Sequence, residues 1–263
     1  MKKILLTNDD GYFSKGLQRL RDYLTDKTKE GNSEEPLYDV YVAAPDRERS
    51  AISMSLTINE PMRLHRLGEK VYVIDGTPTD CVNIALQKIM PIQPDFIIAG
   101  MNKGENLCED VFFSGTVAGA FAGHIYGIPS MAVSLIPDKE NGAFDYDNGA
   151  RITGRVLDIL LPLKDTSVVY NLNIPAGNTG KIAVTALGRK HYKPTIVERT
   201  DPRGRKYYWI GSGEPTSMGE QGTDLEAVAN GDISLSVLKY DLNAPAEMKK
   251  LSERTEELNG IQI

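Results

Sequence analysis

The chain has 263 residues, 41% of them hydrophobic and 25% charged, with a net charge of −6. These proportions belong to a globular protein, and a chain this long buries roughly three quarters of its unfolded surface, so its core needs no staples. An acidic balance with scattered Lys and Arg speaks against a nucleic-acid binder, which needs a clustered basic face. Cys81 and Cys108 lie far apart and make neither a disulfide framework nor a zinc site, which suits a reducing cytoplasm. No apolar run approaches the ~20 residues that cross a bilayer, and the short apolar stretch after Met1-Lys2-Lys3 is too brief for a secretory signal. The expectation is a cytoplasmic enzyme without membrane or nucleic-acid partners.

In chain order, Lys3 to Thr7 is an apolar run that predicts a buried strand. Leu17, Leu20 and Leu24 then repeat at helical spacing, with Ser14 as N-cap. A polar connection covers Glu30 to Pro36, and Val40 to Ala44 reads as the second strand. Met62–Arg66 and Lys70–Ile74 predict an antiparallel hairpin. Thr77-Pro78, a capping residue before a proline, opens a helix to about Met90. Phe96–Ala99, Met131–Leu135 and Ser167–Leu172 read as strands, alternating with helices at Thr116–Tyr126 and Asp147–Leu161. Such alternation predicts parallel βαβ units in a three-layer α/β fold. In these folds ligands sit beyond the carboxyl ends of the strands.

After about Asn178 the rhythm changes. Ile182–Ala186 and Lys206–Ile210 read as strands joined by a polar loop, Thr223–Asn230 as a short helix, Ser234–Leu238 as a strand and Glu247–Leu258 as a charged helix. Residues from about Leu187 to Gly213 include few core formers and read as an arm projecting onto a partner subunit.

Three segments carry chemistry. Asn8-Asp9-Asp10-Gly11 follows the first strand. Adjacent carboxylates raise each other's pKa unless a cation compensates, and Mg²⁺ or Mn²⁺ prefers such oxygen ligands. Gly11 lets the backbone turn tightly, and the next helix start favours phosphate. The same turn can be a solvated helix cap, and its residues alone leave both readings open. Asp46-Arg47-Glu48-Arg49-Ser50 follows the second strand, offering arginines for phosphate and the Ser50 hydroxyl for a metal; it reads equally as a charged surface loop. The third segment runs from Gly100 to Gly119. Asn102 and Asn106 bring uncharged amide oxygens, while Ser114, Gly115 and Thr116 bring hydroxyls and free N–H groups at a helix start. The glycine spacing of Gly11 and Gly16 lacks the Lys-Ser/Thr of a P-loop, and no GxGxxG, GxSxG or HExxH is present. His65, His124 and His191 are dispersed and read as structural or surface residues.

Together, Asn8-Asp9-Asp10-Gly11, Ala44 to Ser50, Gly100 to Leu107 and Ser114 to Ala118 resemble the SurE family of 5′-nucleotidases. Gly76 to Cys81 and Gly222-Thr223-Asp224 resemble its later landmarks. The resemblance implies a Rossmann-like core in a single domain over residues 1–263. The core occupies about 1–180, the arm about 187–213 and a C-terminal helix about 244–263, with arm and C-terminal segment exchanged between subunits of a homodimer or homotetramer. It implies hydrolysis of nucleoside 5′-monophosphates, and often 3′-monophosphates, by a metal-activated water. One divalent ion per subunit, Mg²⁺ or Mn²⁺, would be held by Asp9, Asp10, Ser50 and Asn102. Asp9 and Asp10 would be the catalytic carboxylates. Asn8, Asn106, Ser114, Gly115, Thr116 and Asp224 would form the substrate side. Two positions depart from the family pattern: Ala51 and Cys108 stand where glycine is usual. An aspartyl-phosphate phosphatase is disfavoured because its acids follow an Asp-x-Asp pattern. A phospho-acceptor signalling domain is the non-enzymatic alternative, although it would have no use for the Asn102 loop.

Overall fold

The computed structural model describes residues 1–26, 38–190, 195–211 and 220–259. The polar connection expected over Glu30–Pro36, His191 and the end of the arm at Gly213 lie outside the described residues. A nine-stranded sheet forms the middle layer. Its strands are β1 (Lys2–Thr7), β2 (Tyr38–Pro45), β3 (Leu64–Gly68), β4 (Val71–Ile74), β5 (Phe96–Lys103), β6 (Ser130–Ile136), β7 (Val169–Pro175), β8 (Ile182–Thr185) and, after the arm, β11 (Ile233–Leu238). Their order is β3-β4-β2-β1-β5-β6-β7-β11-β8. Pairing is parallel except where β3 meets β4 and β7 meets β11.

Side-chain alternation along β1 sorts the two faces. Ile4 and Leu6 join the core that holds Leu17, Leu20 and Leu24 of α1 (Lys15–Asp26) and Val156 and Leu157 of α4 (Tyr146–Leu160). Leu5 faces the opposite core, with Cys81 and Val82 of α2 (Pro78–Ile84). The small-residue helix α3 (Gly115–Ile125) packs over β5 and β6 on that second face, with Val117 and Ala120 against Ala99 and Ala132. The central strands are therefore continuous apolar runs, as expected for a sheet covered on both sides.

The chain runs from β1 outward to β2, then returns to β5 on the other side of β1. That reversal makes a topological switch point, where the loops diverge and leave a crevice at the strand carboxyl ends. Strand β5 runs beyond the expected Ala99 to Lys103, with a register shift against β6 between Ala99 and Asn102. Asn102 is thus fixed on a strand end at the crevice rather than in a free loop.

Helix α2 has the expected Thr77 cap: the Thr77 hydroxyl accepts from Asp80 N–H at 3.1 Å, and Thr77 N–H donates to Asp80 Oδ2 at 2.9 Å. One wider helical turn over Ala85–Ile89 carries the run to the predicted end. Two expectations need correction. The segment between β8 and Lys206 is not only a loop: β9 (Thr195–Thr200) pairs antiparallel with β10 (Lys206–Gly211) in a separate two-stranded arm. Strand β8 itself pairs with β11 in the main sheet. The charged C-terminal helix is split into α6 (Pro245–Ser252) and α7 (Thr255–Asn259). Between β10 and β11 lies the short α5 (Asp224–Ala229).

Gly16, in the first turn of α1, makes the closest approach to the crevice floor: a Cβ there would stand 2.1 Å from the Met101 carbonyl oxygen. Alanine normally stabilises a helical position by ~0.5–1 kcal/mol over glycine. Here Gly16→Ala is expected to destabilise by about 2 kcal/mol through overpacking. The urea midpoint should fall at unchanged slope, and a rise would contradict this packing.

Candidate active site

The Asn8-Asp9-Asp10 turn leaves β1 directly into the switch-point crevice. Asn8 is fully buried and braces the turn, its amide N–H groups donating to the Gly11 carbonyl at 2.9 Å and to Ser14 Oγ at 2.8 Å. Ser14 therefore serves Asn8. Asp9 is only 4% exposed. Its Oδ1 accepts a hydrogen bond from the Thr116 hydroxyl, and its carbonyl accepts from Arg49 N–H at 2.7 Å. Asp10 Oδ2 accepts from Lys103 N–H at 3.0 Å. Loops after β1, β2 and β5 are in this way tied to two adjacent acids.

Electrostatics at this turn are unfavourable in the protein alone. Burial pushes the Asp9 carboxyl up to about 6, with the Asp10 charge adding to the rise and the Thr116 hydrogen bond opposing it. Asp10 is also raised, chiefly by burial, while the Lys103 N–H and ammonium oppose that shift. Among the described residues neither acid has an Arg or Lys side chain in ion-pair contact. Desolvated, mutually repelling carboxylates without a counter-ion call for a bound cation or for protonation.

Two clefts flank the pair. The smaller, about 170 Å³, brings Asp9 together with Ser50, Asn102, Asn106 and Ser114. The larger, about 480 Å³, opens on Asp10 and Gly11, and Lys103 lines both. Three of the four expected metal ligands thus share one cleft, with Asp10 at its boundary. No cluster of three or more His, Cys, Asp or Glu side chains arranged for a metal exists among the described residues. A cation here must draw on serine and amide oxygens beside the two acids, a donor set that suits a hard ion such as Mg²⁺.

Helix α3 supplies the opposite wall. Ser114 caps it, Oγ accepting from Val117 N–H at 3.0 Å. Gly115 is required by contact: a Cβ there would stand 2.8 Å from Asp9 Cβ. Thr116 is fully buried and spends its hydroxyl on Asp9, so it holds the acid rather than lining the cleft. Asn106 is fixed by polar strand residues that sequence reasoning missed. Its N–H donates to Asn173 Oδ1 at 2.9 Å, its amide to Ser134 Oγ at 2.7 Å, and its carbonyl accepts from Asn171 at 2.8 Å. The available signal was Asn171 and Asn173 recurring at period two inside an otherwise apolar strand.

Asp224 is not brought to the cleft. It is fully buried, and its carboxylate accepts from Cys108 N–H at 2.8 Å and Gly188 N–H at 2.7 Å, joining the loop after β5 to the root of the arm. Lys190, also missed, is buried there, with its ammonium 2.5 Å from Asp110 and 3.5 Å from Glu105, two acids that line the smaller cleft. Ala51 and Cys108, the two departures from glycine, both hold left-handed backbone at φ +54° and +53°. Burial first, then the Asp224 charge, push the Cys108 thiol up to about 12, so it is not a nucleophile near neutral pH. His124 packs against Phe121 and Tyr240 far from these clefts, and His65 lies on the edge strand β3.

Fold and site define the class: a doubly wound α/β protein with a carboxylate-centred ligand site at its switch point. The chain belongs to the SurE family, since residues 4–194 match the family described as Survival protein SurE. Proteins named 5′-nucleotidase SurE from Pelobacter propionicus and Geotalea daltonii are each 40% identical to it, over 95% and 94% of this chain and 98% of theirs. The crystal structure of the SurE protein from Aquifex aeolicus matches with a TM-score of 0.81 at 35% identity, covering 97% of this chain and 99% of that one.

The raised Asp9 carboxyl fixes a pH dependence for the metal-free protein. Folding holds this proton more tightly than the ordinary value of 3.8 allows, so stability falls as pH rises from 3.8 to about 6. Asp9→Asn keeps an oxygen for Thr116 and removes the charge. At about pH 7, without metal, that variant should be more stable than wild type by roughly 2–3 kcal/mol. Denaturant titrations across this pH range should show a flatter profile for the variant; identical profiles would contradict the assignment.

Proposed function

We propose that the chain is a divalent-metal-dependent phosphomonoesterase that hydrolyses nucleoside 5′-monophosphates to nucleoside and phosphate, with 3′-monophosphates in the same substrate class. The observation that carries this reading is the buried Asp9 beside the half-buried Asp10, neither with an ion-pair partner among the described residues, opening beside the uncharged oxygens of Ser50 and Asn102. Membership of a family whose relatives are named 5′-nucleotidase SurE supports the substrate. One Mg²⁺ or Mn²⁺ per subunit would be held by Asp9, Asp10, Ser50 and Asn102. When bound, such an ion offsets phosphoryl charge and makes water more acidic.

The remaining roles belong to the chain. Ser114 uses Oγ as an acceptor at the helix cap, so its hydroxyl proton is available to a phosphoryl oxygen. Free N–H groups in the first turn of α3 add donors and a partial positive charge to the same wall. They would hold the phosphoryl group as its charge redistributes. Thr116 engages Asp9 Oδ1, leaving Oδ2 as the oxygen the geometry offers for the proton of the attacking water. Asn106, immobilised from β6 and β7, borders the same space and would bind a phosphoryl or leaving-group oxygen.

The arm gives the reading of assembly. Ile196, Tyr208, Trp209 and Ile210 are exposed on β9 and β10, an apolar surface suited to a second copy of the chain in a homodimer or homotetramer. Free, buried Cys81 and Cys108 suit a cytoplasmic location. Among the described residues no helix is long and apolar enough to cross a membrane.

Asp10→Asn should lower kcat/KM for a nucleoside 5′-monophosphate by at least ~100-fold at saturating Mn²⁺, and weaken Mn²⁺ binding. A panel of metals and phosphate esters on wild type and variant checks both; near-wild-type turnover by the variant would overturn the scheme.

A further inference from the structure

The larger cleft begins where the acidic pair ends. Asp10 and Gly11 form its inner edge, and Lys103, at the end of β5, is common to it and to the smaller cleft holding Asp9 and Ser114. A substrate whose phosphoryl group lies against Asp9 and α3 therefore has an adjoining volume into which the rest of the molecule can extend. That volume, about 480 Å³, falls within the range of small-molecule sites.

Its lining includes two aromatic rings and several polar side chains. Phe13 stands on one side and Tyr146, at the start of α4, on another. Phe13 is 77% exposed although it sits two residues from the rigid Asn8–Gly11 turn. Its ring meets Tyr12 edge-on, with centroids 5.0 Å apart and planes at 75°, so it has a defined place without being part of the core. Tyr146 is held by Phe144 at 5.9 Å between centroids and packs partly against the core. Ser14, Lys15, Arg47 and Glu48 line the same cleft and offer donors and an acceptor for sugar hydroxyls. Glu48 already commits one carboxylate oxygen to Ser50, at 2.7 Å, which links this rim to an expected metal ligand.

Resting on the nucleotidase reading, we propose that the cleft between Phe13 and Tyr146 is the nucleoside subsite and that Phe13 is its specificity-determining residue, the platform on which the base stacks. Stacking asks only for a π-face, which every base presents, so all four nucleotides are accepted. Larger purine rings gain more contact on the platform than pyrimidines. Phosphate esters without a ring gain nothing from it.

The test compares KM and kcat for AMP, CMP and glycerol phosphate in wild type, Phe13→Ala and Phe13→Tyr. Because Phe13 is exposed, its truncation leaves the core intact. Phe13→Ala should raise KM for AMP about 10-fold, the scale of losing one base–aromatic stack, and erase the preference for AMP over CMP. Its kcat and its KM for glycerol phosphate should stay within about twofold, and Phe13→Tyr should restore wild-type values. Unchanged KM for AMP in an active Phe13→Ala enzyme overturns the subsite alone. Equal losses on AMP and glycerol phosphate also overturn it, assigning Phe13 to support of the turn. Wild-type enzyme that hydrolyses glycerol phosphate but no nucleotide overturns the nucleotidase reading, and the subsite with it.

Discussion

The constraint on which the site depends is a pair of adjacent carboxylates, Asp9 buried and Asp10 half-buried, fixed at the end of the central strand. Asp9 and Asp10 leave the central strand at the switch point, where burial raises both; the Asp10 charge adds to the rise at Asp9 and the Glu48 charge to that at Asp10. A surface turn would relax by exposing them, but here the neighbours prevent that. Thr116 holds one oxygen, Lys103 N–H another, and Arg49 N–H the backbone between. The start of α3 can press against Asp9 because residue 115 has no side chain. The protein therefore maintains an acidic point at a cost to its own stability, as functional sites commonly do.

Around that point lies a second ring of buried polar residues. Ser134, Asn171 and Asn173 convert two central strands into a rigid mount for Asn106. Asp224 and Lys190 tie the loop carrying Asn106 to the root of the arm. The left-handed residues Ala51 and Cys108 sit at the two bends that bring Ser50 and Asn106 to the cleft. Glycine would adopt such backbone without penalty, whereas other residues strain by about 1–2 kcal/mol. Keeping both bends despite that strain ties their shape to the position of the site.

Much of this was legible in the sequence, and the reasons can be given residue by residue. Apolar runs such as Lys3–Thr7 and Phe96–Ala99 predict buried parallel strands, and the order of the elements places Asp9, Ser50 and Asn102 at one sheet edge. Thr77-Pro78 announces its helix because capping is a local interaction. Less legible were features decided by long-range pairing. Strand β9 is polar and exposed, so its hairpin with β10 has no hydrophobic alternation to announce it. Thr116 and Asp224 look like ligand-binding residues in sequence, yet they face buried partners supplied by residues more than one hundred positions away. Lys190 reads as one more surface cation until the fold surrounds it with acids.

Calorimetric titration of Mn²⁺ into the metal-free protein, in buffers of different ionisation enthalpy, tests the cation requirement of the acidic pair most directly. Since burial pushes the Asp9 carboxyl up to about 6 and also raises Asp10, binding near pH 6 displaces more proton than binding about two units higher. One ion per chain, with proton release that is clear near pH 6 and falls away toward pH 8, is the predicted result. Absence of binding, or binding that survives unchanged when Asp9 and Asp10 are both replaced by Asn, would contradict it.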